Sequence, residues 1–249
     1  MRFAAAVTAA LACAAACAPA ARMTMPRSEG VAIGSIKLSL SNVHVVVGEH
    51  PMLVDTGTHG DLDDLDRGLV TLGIDWHDIK CAVVTHVHAD HAGLARALQA
   101  RGILIIAGRG DLARAQRGDH GALHATGFKG TLLKPLIPSD FLPFTPNVIV
   151  DDQLDLRALC GVDGVAVSAP GHTAGSLVVL VAGGRIALVG DLFRGSLICP
   201  CEPVEHFFQD DLAAAHARIH ELLARGVVWF MLGHGGPAHR DDVAKVFGT

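Results

Sequence analysis

Tyrosine is absent from this 249-residue sequence, and aromatic residues make up only 4% of it. Any mechanism that depends on a tyrosine hydroxyl is thereby excluded. Charge is also scarce: 18% of residues are charged, the formal net charge is −5, and no long run of Lys and Arg occurs. That balance argues against nucleic acid as a partner, which would need a cationic surface. The apolar, Ala-rich run at residues 3–18 is too short to span a bilayer, which takes about 20 residues. Half of the residues are hydrophobic, so a sizeable core is available and global disorder is excluded. The length suits one large domain. What is abundant is histidine, at 15 residues.

Met1-Arg2, the apolar run and the small residues Ala18-Pro19-Ala20 together outline a secretory signal peptide over residues 1–20, followed by a short linker over 21–30. Cys13 and Cys17 raise a lipoprotein variant, in which a lipid anchor at the leader is the one membrane attachment; Ala10 stands where a bulkier aliphatic residue is usual. The expected location is outside the cytoplasm, periplasmic or secreted. An oxidising compartment lets some of Cys81, Cys160, Cys199 and Cys201 pair, without fixing the connectivity. Cys199-Pro200-Cys201 is spaced too tightly for a zinc knuckle and reads as a loop disulfide or as thiols.

Beyond the leader, strands and helices alternate within a single domain over residues 31–249. Residues 31–40 and 43–47 form an early hairpin around Ser41-Asn42, and 52–54 is a short strand ending in Asp55-Thr56-Gly57. Leucines at 62, 65, 69 and 72 give a helical period closed by Gly73. Further strands are expected at 81–85, 103–106, 165–169, 177–181, 186–189 and 227–232, with helices at 94–99, 212–223 and 241–247. Residues 108–146 break the rhythm with Gly, Pro and scattered His and Lys, and read as an inserted lid or loop region beside a site.

The strongest chemical signal is Thr85-His86-Val87-His88-Ala89-Asp90-His91, directly after a buried-type strand. A tight turn there can point His86 and His88 at one ion and swing Asp90 and His91 towards a second. Imidazole suits zinc, and a mixed His and carboxylate set leaves coordination positions for water. Three further elements expose a ligand at a strand end or a tight Gly turn: Gly171-His172-Thr173, Gly190-Asp191 and Gly233-His234-Gly235.

In this order the motifs resemble those of the metallo-β-lactamase fold superfamily, over roughly residues 31–247. The resemblance implies an α/β fold, a four-layer αββα sandwich with metals at one edge of two sheets. It implies that His86, His88 and His172 hold a first metal, that Asp90, His91 and His234 hold a second, and that Asp191 bridges them. Asp55 is implied as a buttress that hydrogen-bonds the ligand loop without binding metal. Five imidazoles and two carboxylates suit two divalent ions about 3.5–4 Å apart. Zinc, two ions per chain, is the expected cofactor, with iron or manganese as alternatives.

The implied reaction is hydrolysis of an activated acyl bond in a small molecule (thioester, ester, lactone or lactam) by a hydroxide bridging the metals, with Asp90 orienting it and taking its proton. Asp191 as the bridge is more similar to glyoxalase II than to true β-lactamases, where that position is commonly Cys or Ser. Glyoxalase II and the quorum-quenching lactonases, however, use a tyrosine that this sequence lacks. The alternative is a persulfide dioxygenase-like protein with one iron, or a metal-binding member of the fold without turnover; one iron leaves Asp90, His91 and His234 without a role. The substrate pocket is expected between residues 108–146 and 192–208. The other histidines, including His59, His120, His124 and His206, are left outside the ligand set, with His206 beside Phe207-Phe208 as part of an apolar wall.

Overall fold

A computed structural model describes residues 31–248. The expected leader and linker, with Cys13 and Cys17, lie outside the described residues.

Two six-stranded sheets form the frame. The first runs in the order β1 (Ala32–Lys37), β2 (Asn42–Val47), β3 (Pro51–Val54), β4 (Cys81–Val83), β5 (Leu104–Gly108) and β6 (Val148–Val150). β1, β2 and β3 pair antiparallel, the first pair in the register Ala32↔Val47 to Lys37↔Asn42, and from β3 to β6 every pairing is parallel. Parallel neighbours need crossovers, and helices supply the first two. Helix α1 (Leu62–Leu72) joins β3 to β4, while α2 (Ala89–Ala92) and α3 (Ala95–Ala100) join β4 to β5. Buried Leu65, Leu69 and Leu72 form the inner stripe of α1, and Gly73 ends it in the left-handed conformation.

The second sheet runs β14 (Ala238–His239), β13 (Trp229–Leu232), β10 (Ile186–Gly190), β9 (Leu177–Val181), β8 (Gly164–Ser168) and β7 (Gln153–Asp155). Only β10 and β13 are parallel in it, while β11 (Arg194–Gly195) and β12 (Pro203–Val204) pair antiparallel as a separate two-stranded ribbon. Three apolar clusters hold the layers together. Val46, Met52, Val83 and Ile106 of the first sheet meet Val179, Val181 and Leu188 of the second between the sheets. Val45, Leu53 and Ile105 pack outward against Leu65, Leu69 and Leu98. Leu180, Val189 and Phe230 pack against Ile219, Leu222 and Phe247 of helices α7 (Leu212–Ala224) and α8 (Arg240–Phe247). Each such fully buried side chain contributes about 1.5–3 kcal/mol by leaving water. The result is the expected αββα sandwich.

The pairing left open in the sequence is Cys81 to Cys160, between β4 and the short helix α6 (Arg157–Cys160). It closes a separation of 79 residues inside the inter-sheet cluster, a constraint that stabilises by about 4 kcal/mol. Residues 108–146 contain two short helices, α4 (Leu112–Arg117) and α5 (Phe128–Leu133). The sequence pattern misses the edge strands β6, β7 and β14. Gln153–Asp155 shows why: it is a polar triplet with only its middle residue half-buried, so its partner strand decides its conformation.

Candidate metal centre

Strand direction brings the motifs together. β3 and β4 are parallel, β10 and β13 are parallel, and β8 runs the same way as β10 because each is antiparallel to β9. Asp55, the loop 85–91, His172, Asp191 and His234 all follow the C-terminal ends of these strands. The two sheets are tied at this edge: Leu177 donates its amide to Thr85 O at 2.7 Å, and Asn42 donates to Gly233 O at 2.7 Å.

The ligand-type side chains form overlapping groups whose donor atoms lie within 4.8 Å of one another. His86, His88 and His172 form one group, with His172 Nε2 only 3.1 Å from His88 Nδ1. Asp90, His91 and His234 form another: Asp90 Oδ2 is 3.5 Å from His91 Nε2 and 3.3 Å from His234 Nε2. Asp191 Oδ2 lies between them, at 3.1 Å from His234, 3.5 Å from His91, 3.7 Å from His172 and 3.8 Å from His86. All seven sequence-predicted ligands therefore converge.

Outer partners fix which way the rings face. His172 Nδ1 donates to Phe208 O at 2.9 Å, His234 Nδ1 to Leu40 O at 2.8 Å and His91 Nδ1 to Asp55 Oδ2 at 2.9 Å. A proton held on the outer nitrogen leaves the Nε2 lone pair of the neutral ring facing inward. Burial lowers the pKa of His86 and His88 well below the ordinary histidine range, and that of His172 to about 3. Burial acts the same way on His91 and His234, but carboxylates outweigh it. Asp191, Asp90 and Asp55 raise His91 well above its ordinary value, and Asp191 with Asp90 raises His234 to about 10. Burial would raise Asp90 and Asp191, yet the neighbouring histidines hold both well below the usual carboxylate range.

His86 Nε2, His88 Nε2 and Asp191 Oδ1 are buried without a hydrogen-bond partner. Such orphans cost about 1–3 kcal/mol each, and that three of them belong to residues of these ligand-type groups calls for a cation. The donor set, imidazole and carboxylate together, fits a metal ion.

Two buried carboxylates brace the ligand loops. Asp55, at a φ of 68° that Asp tolerates better than most residues, accepts from Thr85 N at 2.7 Å as well as from His91. Thr56 completes the grip, donating both its N–H and its hydroxyl to His91 O at 2.8 Å. Asp55 thus touches both the Thr85 end of the ligand loop and the His91 ring. Asp111, which the sequence did not single out, does the corresponding work for the other group. It accepts from Val87 N at 2.9 Å, between His86 and His88, and from Thr173 Oγ1 at 2.7 Å, beside His172. Gly233 is equally constrained: a Cβ there would fall 2.2 Å from Asp191 Oδ1 and 2.6 Å from His91 Cε1.

His206 is the second residue missed. It is buried, with Nε2 3.1 Å from Asp191 Oδ2, and it joins His172 and Asp191 in a further ligand-type group. A lone His before Phe-Phe gives no periodic cue to this placement. His120 stacks edge-on against His88 at 5.7 Å, whereas His124 pairs with Asp210 on the surface.

A cavity of about 330 Å³ opens onto Asp90, Asp191 and His234. Its walls come from Leu123, Leu133 and Ile137 on one side and Arg194, Leu197 and Phe207 on the other. The expected position between residues 108–146 and 192–208 is therefore correct. Phe141 and Phe144 of the inserted region do not line it: both are buried in the cluster beneath the first sheet. Arg109 and Arg117 point elsewhere, pairing with Asp151 and Asp119.

Comparison with known proteins agrees with this architecture. The sequence profile described as the Metallo-beta-lactamase superfamily matches residues 36–225. No curated protein gives a significant match. Among solved structures, a metallo-beta-lactamase family protein from Thermus thermophilus superposes with a TM-score of 0.62 at 21% identity, covering 87% of this chain and 77% of its own. The subclass B3 metallo-beta-lactamase BJP-1 of Bradyrhizobium japonicum gives 0.58 at 17%, covering 86% and 80%. The B3 metallo-beta-lactamase BLEG-1 gives 0.63 at 16%, covering 86% and 97%. At these identities the structures speak for the fold, and the profile match over most of the chain for descent: the protein is a member of the metallo-β-lactamase superfamily.

Proposed function

We propose that the chain is a metal-dependent hydrolase of activated acyl bonds in small molecules, with two zinc ions held by His86, His88, His172, Asp90, His91, His234 and Asp191. The observation that carries this reading is the convergence of the seven donors, four of which (His88, Asp90, Asp191 and His234) line one apolar-walled cavity. When bound, two divalent ions supply Lewis acidity and bring the pKa of a coordinated water towards neutrality.

The protein's own part follows from its geometry. His86, His88 and His172 offer neutral imidazoles, and Asp191 offers a carboxylate within reach of both groups. Asp90 is the more accessible of the two acids, with 16% of its side chain exposed against 2% for Asp191. Its carboxylate, through the oxygen not turned to His91 and His234, is therefore the one to take a proton from water and return it to the leaving group. Leu123, Leu133 and Phe207 exclude water from the acyl group. Among the described residues, Arg194 and Lys37 are the only Lys or Arg side chains on the cavity wall. A phosphate diester would want a denser cationic clamp, so acyl substrates rank ahead of it. The mononuclear alternative would leave Asp90, His91 and His234 assembled without a task.

Metal analysis of the purified full chain, followed by a panel of chromogenic thioester, lactone and lactam substrates beside bis-(p-nitrophenyl) phosphate, tests this. Two zinc ions per chain and chelator-sensitive acyl hydrolysis are expected. One tightly held iron, or faster cleavage of the phosphodiester than of any acyl substrate, would overturn it.

A further inference from the structure

His206 stands in an unusual position for a residue outside the ligand set. Its Nε2 is 3.1 Å from Asp191 Oδ2, as close as His234 comes to the same oxygen, and its side chain is 7% exposed. Its other nitrogen, Nδ1, lies 3.2 Å from Phe208 N and 3.0 Å from Phe208 O. Only one of these can be a hydrogen bond in a neutral ring, because the amide needs a lone pair on Nδ1 and the carbonyl needs a proton. Phe208 O already accepts the His172 proton at 2.9 Å. Among the described residues, the Phe208 amide has this ring as its one hydrogen-bond partner. Buried backbone N–H groups are rarely left orphaned, so Nδ1 accepts and the ring proton sits on Nε2.

We propose that His206 is a positioning residue of the metal centre, whose Nε2–H donates to Asp191 Oδ2 and fixes the carboxylate shared by the two ligand groups. A neutral N–H donor orients the carboxylate and draws charge from it without occupying a coordination position. The loop that carries His206 is itself secured. Gln209 Nε2 reaches back to Asp191 O at 3.2 Å and Leu192 O at 3.0 Å, so both ends of Asp191 are held from the same loop. On the opposite side the loop is strapped to residues 108–146. Thr126 Oγ1 donates to His206 O at 2.6 Å, Thr126 N to Phe207 O at 3.0 Å, and Gln209 N to His124 O at 2.9 Å. The inserted region is thereby coupled to Asp191 through His206 and Gln209.

The consequence for metal affinity rests on the function proposed above, whereas the hydrogen bond itself does not, and the test separates them. In the metal-free full chain at pH 8, ¹⁵N-histidine NMR should show His206 protonated on Nε2 and bare on Nδ1. Zinc titration of folded His206→Ala should show binding weakened by about 10–100-fold, the usual effect of losing a group that orients a ligand. His206→Gln, whose amide N–H can donate from a similar position, should recover most of that loss. A ring proton on Nδ1 would overturn the proposal. So would an alanine variant as tight as wild type, or a glutamine variant as weak as alanine, which would mark the ring as a ligand. If wild type binds no zinc while the Nε2–H form is observed, the hydrogen bond stands and the metal function fails.

Discussion

The two ligand groups flanking Asp191 differ in what they hold before any ion arrives. His86, His88 and His172 are imidazoles only, deeply buried, and burial lowers the pKa of the first two well below the ordinary histidine range and that of His172 to about 3. Asp90, His91 and His234 form a mixed and more open group, in which the carboxylates keep protons on both rings. The first group offers lone pairs that cost nothing to expose. The second offers negative charge, but an ion must expel protons to reach the nitrogens. The two groups are therefore prepared differently, the first for simple coordination and the second for exchange of protons against a cation.

The most severe way to break this comparison is to remove what the halves share. Asp191→Ala should weaken binding of both ions by more than the about 10–100-fold that follows loss of a supporting group, with the fold retained by circular dichroism. Calorimetric titration that found two ions still held at wild-type affinity would exclude a shared carboxylate. One step milder, His88→Ala should lose one ion and His234→Ala the other, each leaving one zinc per chain after dialysis. If either variant lost both, or neither lost any, the division into two groups would be wrong.

The bracing carboxylates sharpen the comparison further. Asp55 holds His91, and Asp111 holds the backbone between His86 and His88 together with the threonine beside His172. Asp55→Ala should lower affinity chiefly at the Asp90, His91 and His234 group, and Asp111→Ala chiefly at the three-histidine group. Each loss should be about 10–100-fold, read by zinc titration in the His88→Ala and His234→Ala backgrounds. Equal effects on both groups would show that the clamps act through overall stability.

What the sequence revealed and what it concealed divide along the same physical line. The seven converging side chains were legible because each follows a strand end or a Gly turn, and four of them lie within six residues. The helix at 62–72 and the central strands were legible because burial imposes a period on their side chains. Asp111 was not legible, since nothing local distinguishes a carboxylate that meets Val87 and Thr173 only after the chain has folded. His206 was read as an apolar wall because its neighbours are phenylalanines, and its task depends on a tautomer set by the Phe208 backbone. The Cys81–Cys160 pairing was undecided for the same reason: it joins segments 79 residues apart.

The gentlest test of the difference between the groups is pH. In the metal-free protein the His234 pKa is raised from 6.5 to about 10. Its protonation thus adds stability that is complete below about 6.5 and is lost as pH rises through about 10. The melting temperature of metal-free protein should accordingly fall over that interval, and bound metal should abolish the trend by taking the proton's place. The same proton opposes metal binding. Below the raised pKa, expelling one proton costs about tenfold in affinity for each unit of pH lowered, and a second from His91 would steepen the slope. The three-histidine group, with His172 near 3, has no proton to expel at neutral pH. Zinc titration between about pH 6 and 8 should therefore show a steep dependence in His88→Ala, which keeps the mixed group, and a shallow one in His234→Ala. Equal slopes in the two variants would mean that the halves do not differ in their protons.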